Sequence, residues 1–131
     1  MSDLSLDDIL LIWSYAGERP YEIVPEYFSD LMEETYLEDA IYRGTRRHHN
    51  LQVGDVLEYD YPTSWTHDLD VAKRFIEGEH NIILRYWGES IKGVYNHRNT
   101  YHEDEFIVAP HSFIVTEKFD IDNEHTMLVL E

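Results

Sequence analysis

The chain has 131 residues, about one domain, of which 43% are hydrophobic and 14% aromatic. This composition excludes a disordered acidic tail, because disordered chains are poor in apolar and aromatic residues. Asp and Glu number 27 against 10 Lys and Arg, which gives a formal charge of −17. Such a charge disfavours general binding to nucleic acid or to anionic membranes. The absence of Cys excludes disulfides, thiolate catalysis and Cys-ligated zinc.

No apolar run approaches membrane-spanning length, and the acidic N-terminal residues are unlike a secretory signal peptide. We therefore expect a soluble protein of the cytoplasm, namely that of a host cell in which it is expressed or into which it is delivered. A monomer is the expected state, and no membrane partner is expected.

Residues 1–39 are predicted to form a helical cover. Ser5 can cap a first helix in which Ile9, Leu10, Ile12 and Trp13 recur at helical spacing. Pro25 suits the first turn of a second helix that continues to Leu37. These helices are expected to cover a sheet and to have no ligand role.

Residues 40–131 are predicted to form a strand-rich core, interrupted by one helix that Asp68 caps. Helices followed mainly by strands indicate an α+β fold in one domain, residues 1–131. Six segments rich in Ile, Val, Phe and Tyr are predicted strands: Ala40–Arg43, Asp55–Tyr59, Asn81–Trp87, Glu105–Val108, Phe113–Lys118 and Thr126–Leu130.

The first segment with chemical potential is Ile41-Tyr42-Arg43-Gly44, at the end of a short apolar strand. An arginine there can offer a planar fork of donors to a phosphate or carboxylate, and the glycine lets a ligand or the chain approach closely. Arg43 belongs to the one basic cluster of this acidic chain, which also contains Arg46 and Arg47. A solvated loop paired with nearby acids explains such a cluster equally well.

Two further segments carry hydroxyl and carboxyl groups. Thr63-Ser64-Trp65-Thr66 stands just before the predicted helix, and turn and capping chemistry accounts for Thr66 better than for Ser64. In Glu103-Asp104-Glu105, which leads into an apolar strand, the two glutamates are predicted to share one face at period two. A charged strand entrance is the alternative interpretation.

In this order and spacing, the three segments resemble the R-S-E class of mono-ADP-ribosyltransferases, the cholera-toxin-like group. Tyr42-Arg43-Gly44 is similar to that class's first core strand, and Glu103-Asp104-Glu105 matches its Glu-x-Glu. Ser64-Trp65-Thr66 stands where the family has Ser-Thr-Ser, with Ala72 and Phe75 at the family's spacing on the following helix. The resemblance covers about residues 40–118, and phage-encoded members of the class are similarly acidic.

The resemblance implies a split, mixed or antiparallel β-sheet core with N-terminal helices and one helix after the Ser-x-Thr strand. It also implies NAD as the donor of ADP-ribose and no metal. Arg43 would bind the pyrophosphate, Ser64 would hold the catalytic glutamate, and Glu105 would stabilise the charge that develops as the nicotinamide bond breaks. The cofactor-binding residues implied are Arg43, Gly44, Ser64, Trp65, Thr66, Phe75 and Glu105, with Trp65 or Tyr59 flanking the nicotinamide ring.

The acceptor implied is a host protein, since Glu103 would orient or deprotonate the attacking group. In this family a Glu at that position goes with arginine as acceptor. Residues 93–102 would form the loop that meets the acceptor, with Tyr95 and Tyr101 as its aromatic contacts. The acidic surface would steer a basic acceptor toward the site.

Three other interpretations stay open on the sequence. A metal site drawn from the eight His lacks any familiar ligand spacing. The second is a non-enzymatic acidic inhibitor, which mimics DNA or binds a basic host protein. It accounts for the net charge but not for the three-segment pattern. The third is a protein with the transferase fold that has lost activity and only binds, which is intermediate between an enzyme and such an inhibitor.

Overall fold

The structure is a computed structural model that describes residues 3–16, 19–74, 76, 81–97 and 105–131. Within these ranges nine strands form one mixed sheet. The strands are β1 Glu33–Tyr36, β2 Ile41–Thr45, β3 Val56–Tyr59, β4 Thr63–Thr66, β5 Asn81–Tyr86, β6 Ser90–Tyr95, β7 Glu105–Val108, β8 His111–Asp120 and β9 His125–Leu130. The helices are α1 Leu6–Tyr15, α2 Leu69–Arg74 and two short 3₁₀ helices, Pro20–Glu22 and Glu26–Leu31.

Both predicted helix caps are confirmed. Ser5 caps α1 in a capping box, in which Ser5 Oγ accepts from the backbone N–H of Asp8 at 3.2 Å and the Asp8 carboxylate accepts from the N–H of Ser5 at 3.4 Å. The carboxylate of Asp68 accepts from the N–H of Asp70 at 2.9 Å at the start of α2. Each cap satisfies backbone donors that the first helical turn leaves without a partner.

The sheet order is β1-β6-β7-β4-β2-β5-β9-β8-β3. All neighbouring strands are antiparallel except β5 and β9, which are parallel. Only one pair of residues, Tyr42 and Thr66, joins β2 to β4 in the described register. The sheet therefore opens between these two strands, and the predicted α+β fold with a split mixed sheet is confirmed.

Side chains on the two faces of β7 pack into different hydrophobic clusters. Phe106 and Val108 belong to the largest buried cluster, inside the sheet. Ile107 points the other way and packs with Ile9, Leu10, Trp13 and Phe28 under α1. Because side chains alternate along a strand, Glu105 lies on the same face as Ile107 and meets α1 rather than the larger core.

The six predicted strands all overlap observed ones. The prediction of a second helix to Leu37 is wrong beyond Leu31, because Glu33–Tyr36 forms the edge strand β1. The acids and the exposed Tyr36 of β1 lack an apolar alternation, so its pairing with β6 has no signature in the sequence.

The prediction that a loop begins at Gly93 is also wrong, because β6 continues to Tyr95. A Cβ at Gly93 would lie 2.5 Å from the ring of Phe106 and 2.6 Å from the carbonyl oxygen of Ile107. The glycine is therefore required by close packing of β6 on β7.

Candidate active site

The strands β7, β4 and β2 lie side by side and bring together Glu105, Ser64 and Arg43. The three side chains line one cleft of about 820 Å³ at the opening of the sheet. Its volume is in the range of small-molecule sites. Three segments that lie 21 and 41 residues apart in the chain thus share one cavity.

Both oxygens of the Glu105 carboxylate accept hydrogen bonds from side chains. Oε2 accepts from Ser64 Oγ at 2.5 Å and from Trp13 Nε1 at 3.0 Å. Oε1 accepts from Asn96 Nδ2 at 2.6 Å. Hydrogen bonds to an ionised carboxylate are the stronger ones in proteins, so these three donors hold the group in one orientation.

Ser64 connects the glutamate to the arginine. Its hydroxyl donates to Glu105, and its carbonyl oxygen accepts from Arg43 Nη1 at 3.1 Å. This connection spans β7, β4 and β2 at the point where β2 and β4 diverge. The position of the guanidinium is therefore coupled to the strand that holds the carboxylate.

The Arg43 guanidinium also lies over the ring of Tyr59, with Cζ 5.5 Å from the ring centroid. Its Nε is buried and has no hydrogen-bond partner among the described residues. A buried donor without a partner is costly, so this nitrogen is an unsatisfied polar group of the site among the described residues.

The cleft is the basic part of an acidic protein. Among the described residues its lining contains three arginines, Arg19, Arg43 and Arg47, and one carboxylate, Glu105, whereas the whole chain carries −17. The Debye length is about 8 Å at physiological salt, so distant acids are largely screened from this cavity. Its local field therefore favours an anionic ligand.

His48 lies in the cleft wall beside Tyr59, with its Nε2 3.1 Å from the Tyr59 hydroxyl oxygen. Burial lowers the pKa of His48, and the charges of Arg43 and Arg47 lower the pKa further. Burial also raises the pKa of Tyr59. Both groups are therefore neutral at neutral pH, so they contribute hydrogen bonding and ring surface to the cleft.

The lowered pKa of His48 predicts a pH effect on stability. The unfolded chain binds a proton at His48 near pH 6.5 and the folded chain at a lower pH, so the free energy of unfolding falls as the pH drops below about 6.5. We expect the melting temperature of His48→Asn to fall less than that of the wild type between pH 7 and pH 5. Asn tolerates the left-handed backbone that His48 adopts at φ 73°. Parallel melting curves against pH would contradict this expectation.

Gly44 lines the cleft and lies close to α2. A Cβ at this position would overlap the carbonyl oxygen of Ala72 and would lie 3.0 Å from Ile76 Cγ1. The glycine therefore permits β2 to touch α2. Of the two groups expected to approach this glycine closely, a ligand or the chain, the chain does so here.

Trp65 and Thr66 have structural partners. Trp65 is 2% exposed, its ring centroid lies 5.5 Å from that of Phe113, and its Nε1 donates to Thr63 Oγ1 at 2.8 Å. Trp65 is among the residues that line the cleft, and its indole is packed on Phe113, so its role beside a nicotinamide ring stays a prediction. Thr66 Oγ1 accepts from the backbone N–H of Asp68 at 3.1 Å, at the start of α2.

Tyr95 belongs to the strand β6, so it does not lie in an acceptor loop. Its hydroxyl lies 2.8 Å from Nε2 of His67, whose Nδ1 lies 3.1 Å from the carbonyl oxygen of Ala40. The rings of Tyr95 and His67 are stacked at 5.7 Å. Three other residues of the sequence prediction, Phe75, Tyr101 and Glu103, lie outside the described residues.

Several residues in or next to the cleft carry no sequence signal of their role. Trp13 and Asn96 contact Glu105 from α1 and from the end of β6. Tyr21 and Tyr61 stack at 4.1 Å in the cleft wall, and Tyr15, which also lines the cleft, is 71% exposed. The helical pattern of residues 5–16 identifies Trp13 as a buried residue, and nothing in that pattern indicates a carboxylate partner.

No protein-family model and no curated protein matches the sequence. Among the described residues, no cluster of three His, Asp or Glu side chains is placed to hold a metal ion, and no helix is long and apolar enough to cross a membrane.

Solved structures of ADP-ribosyltransferases share the fold. One is Vis, a toxin of Vibrio splendidus, in complex with agmatine, with a TM-score of 0.61 and 20% identity over 98% of this chain and 68% of Vis. HopU1 of Pseudomonas syringae has a TM-score of 0.55 and 18% identity over 79% of this chain and 47% of HopU1. Exoenzyme S of Pseudomonas aeruginosa has a TM-score of 0.56 and 22% identity over 74% of this chain and 50% of Exoenzyme S. The chain thus has the ADP-ribosyltransferase fold, and it spans about two thirds of Vis and half of the other two.

Proposed function

We propose that this chain is a mono-ADP-ribosyltransferase of the R-S-E class, which cleaves the nicotinamide glycosidic bond of NAD and transfers ADP-ribose to an arginine of a host protein. The observation that carries the proposal is the hydrogen-bonded connection from Arg43 through Ser64 to Glu105, on three adjacent strands of an ADP-ribosyltransferase fold.

The cleft suits a dinucleotide. The guanidinium of Arg43 lines the cleft, and a pyrophosphate oxygen is an acceptor that forms charge-assisted hydrogen bonds with such a group. The exposed ring of Tyr15 and the stacked pair of Tyr21 and Tyr61 supply aromatic surface for the bases. A structure of Exoenzyme S, which shares the fold, contains Carba-NAD.

Glu105 is the group that acts on the bond. Cleavage of a glycosidic bond develops positive charge on the sugar, and a carboxylate held in place stabilises that charge most in the transition state. Ser64 and Asn96 hold the two carboxylate oxygens, so little reorientation is required when the charge appears. In this proposal Arg43 holds the donor, and Glu105 lowers the barrier.

Arginine is the acceptor that the sequence best supports. Glu103 precedes Glu105 by two residues in the sequence, and an extended segment would place both side chains on one face. A carboxylate there can orient a guanidinium and remove its proton. Agmatine, which is bound in the Vis structure, is a small guanidinium compound. The acidic surface would steer a basic acceptor protein in the cytoplasm of a host cell, and a phage origin is consistent with such a charge.

The non-enzymatic inhibitor has no comparable support. An acidic DNA mimic needs a continuous negative surface, whereas the cleft at the opening of the sheet is lined by three arginines and one carboxylate among the described residues. The site favours the enzyme.

Transfer to a guanidinium tests the acceptor. Wild-type protein incubated with labelled NAD and agmatine is expected to release nicotinamide and to form ADP-ribosyl-agmatine. Glu103→Gln is expected to reduce transfer by about 10²-fold or more, the usual contribution of a general base, and to retain the slow hydrolysis of NAD. The two products are measured by mass spectrometry.

Glu58→Gln serves as the matched control, because Glu58 is an exposed acid of the edge strand β3. Transfer by Glu103→Gln at the rate of this control would remove Glu103 as the group that deprotonates the acceptor, and a wild type that releases nicotinamide but forms no ADP-ribosyl-agmatine would remove arginine as the acceptor. A wild type that leaves NAD intact both with agmatine and with host lysate would overturn the proposed function.

A further inference from the structure

The Glu105 carboxylate is held by α1 as well as by the sheet. Its own sheet supplies Ser64 as a donor from the neighbouring strand. The last turn of α1 supplies Trp13, whose indole Nε1 donates to the same carboxylate oxygen at 3.0 Å. Trp13 is 4% exposed and packs against Phe28 with ring centroids 5.8 Å apart. Its indole is thus held in place before any ligand binds.

The next residue of α1 reaches the other carboxylate oxygen through an intermediary. Ser14 Oγ donates to the carbonyl oxygen of Leu10 at 3.0 Å and accepts from Asn96 Nδ2 at 3.0 Å. The same amide nitrogen donates to Glu105 Oε1 at 2.6 Å. A side-chain amide has two hydrogens on its nitrogen, and these two acceptors use both of them.

Asn96 is itself fixed to Glu105 through the backbone. Its N–H donates to the carbonyl oxygen of Glu105 at 2.9 Å, and the residue is 7% exposed. The amide therefore cannot rotate into solvent, and its nitrogen side faces both Ser14 and the carboxylate. Serine and carboxylate acceptors together define the orientation of this amide.

We propose that the last turn of α1 is a positioning element for the catalytic carboxylate, in which Trp13 holds one oxygen of Glu105 directly and Ser14 holds the other through Asn96. The inference rests on the proposed function. Trp13, Ser14 and Asn96 are positioning residues, since they act through Glu105. Their loss is expected to lower kcat and to leave KM for NAD nearly unchanged, because a misplaced carboxylate costs most when charge develops in the transition state.

The experiment compares Trp13→Phe, Asn96→Ala and Ile9→Val with the wild type. Phe keeps an aromatic ring against Phe28 and removes the indole donor. Ile9 is fully buried in the same cluster under α1, so Ile9→Val perturbs the packing of the helix and leaves the contacts of Glu105 intact. The readouts are kcat and KM for NAD hydrolysis without acceptor, together with the melting temperature.

Trp13→Phe and Asn96→Ala are each expected to lower kcat about tenfold, the size of one lost hydrogen bond to a charged group, with KM within about twofold. Ile9→Val is expected to lower the melting temperature and to retain kcat. The kcat of the double variant, Trp13→Phe with Asn96→Ala, is expected to be lower than that of either single variant. Equal kcat values in Trp13→Phe, Asn96→Ala and the Ile9→Val control would overturn the inference and leave the proposed function standing.

A measurement without activity separates the two proposals. In the NMR spectrum of the folded protein, the indole Nε1–H signal of Trp13 is expected to shift on Glu105→Gln. The signals of Trp65 and Trp87, which donate to Thr63 Oγ1 and to the carbonyl oxygen of Leu37, should stay in place. An unmoved Trp13 signal would overturn the inference whatever the wild type does to NAD. A moved signal with no NAD cleavage would overturn the proposed function and, with it, the positioning role.

Discussion

Replacement of Glu105 by Gln is expected to lower the rate of NAD cleavage by about 10³-fold, near the upper end of what one electrostatic group contributes in a transition state. Gln has nearly the same shape, and its carbonyl oxygen can still accept from Ser64 and Trp13 at the Oε2 position. What it lacks is the negative charge that stabilises the sugar as the bond breaks. The release of nicotinamide from NAD, followed by chromatography, measures the effect.

The control for this variant is Glu58→Gln, with the melting temperature of each protein. In Glu105→Gln the introduced side-chain amide would face the amide of Asn96, so a small loss of stability is expected along with the loss of rate. The KM for NAD should change much less than kcat, since the charge acts mainly in the transition state. Cleavage by Glu105→Gln at the rate of the Glu58→Gln control would show that another group carries the chemistry.

Replacement of Arg43 by Lys is expected to raise the KM or Kd for NAD by about 10²-fold, because the loss removes about two charge-assisted hydrogen bonds. Lys carries the same charge but lacks the planar fork of donors. With that fork, a single guanidinium can donate to the carbonyl oxygen of Ser64 and to a ligand at the same time. The stacking of the guanidinium on Tyr59 is lost as well. Calorimetric titration with NAD, using the catalytically slow Glu105→Gln background, measures the affinity.

Arg74→Lys is the matched control, since Arg74 is an exposed arginine in the last turn of α2. Arg43→Lys should keep the fold, because the strand pairs of β2 with β5 are made by the backbone. Equal affinities of the two variants for NAD would remove Arg43 from the binding site. An unfolded Arg43→Lys protein would contradict the expectation that this residue acts on ligand rather than on folding.

Most of the core could be predicted from local patterns. Alternating or continuous apolar residues near Ile82, Phe106 and Leu128 form strands at the predicted places, because those side chains have to be buried on one face or on both. The caps at Ser5 and Asp68 are equally local, since each cap satisfies backbone groups within its own helix. The edge strand β1 behaves differently. The strand β1 is polar and is defined by its partner β6, so its own residues carry no signal.

The candidate site is predictable only in part. Arg43, Ser64 and Glu105 follow from a motif order along the chain, and their shared cleft agrees with that order. The packing of Trp65 could not be predicted, because an aromatic residue beside a site residue has the same sequence signature whether it packs inward or outward. Its neighbours along β4 alternate between the two faces, and the tertiary core places the indole on Phe113.

The sequence by itself determines which chemical groups are present. The chain has no cysteine and a formal net charge of −17, and it carries an arginine, a hydroxyl and paired glutamates in a recognisable order. What only the tertiary structure decides is the surroundings of those groups. Trp13 and Glu105 are 92 residues apart in the chain, and Ser14 and Asn96 are 82 apart. Such pairs leave no local pattern, because neither backbone periodicity nor capping chemistry acts over such separations. Their hydrogen bonds exist only because burial of apolar side chains presses α1 onto the face of β7 that carries Glu105.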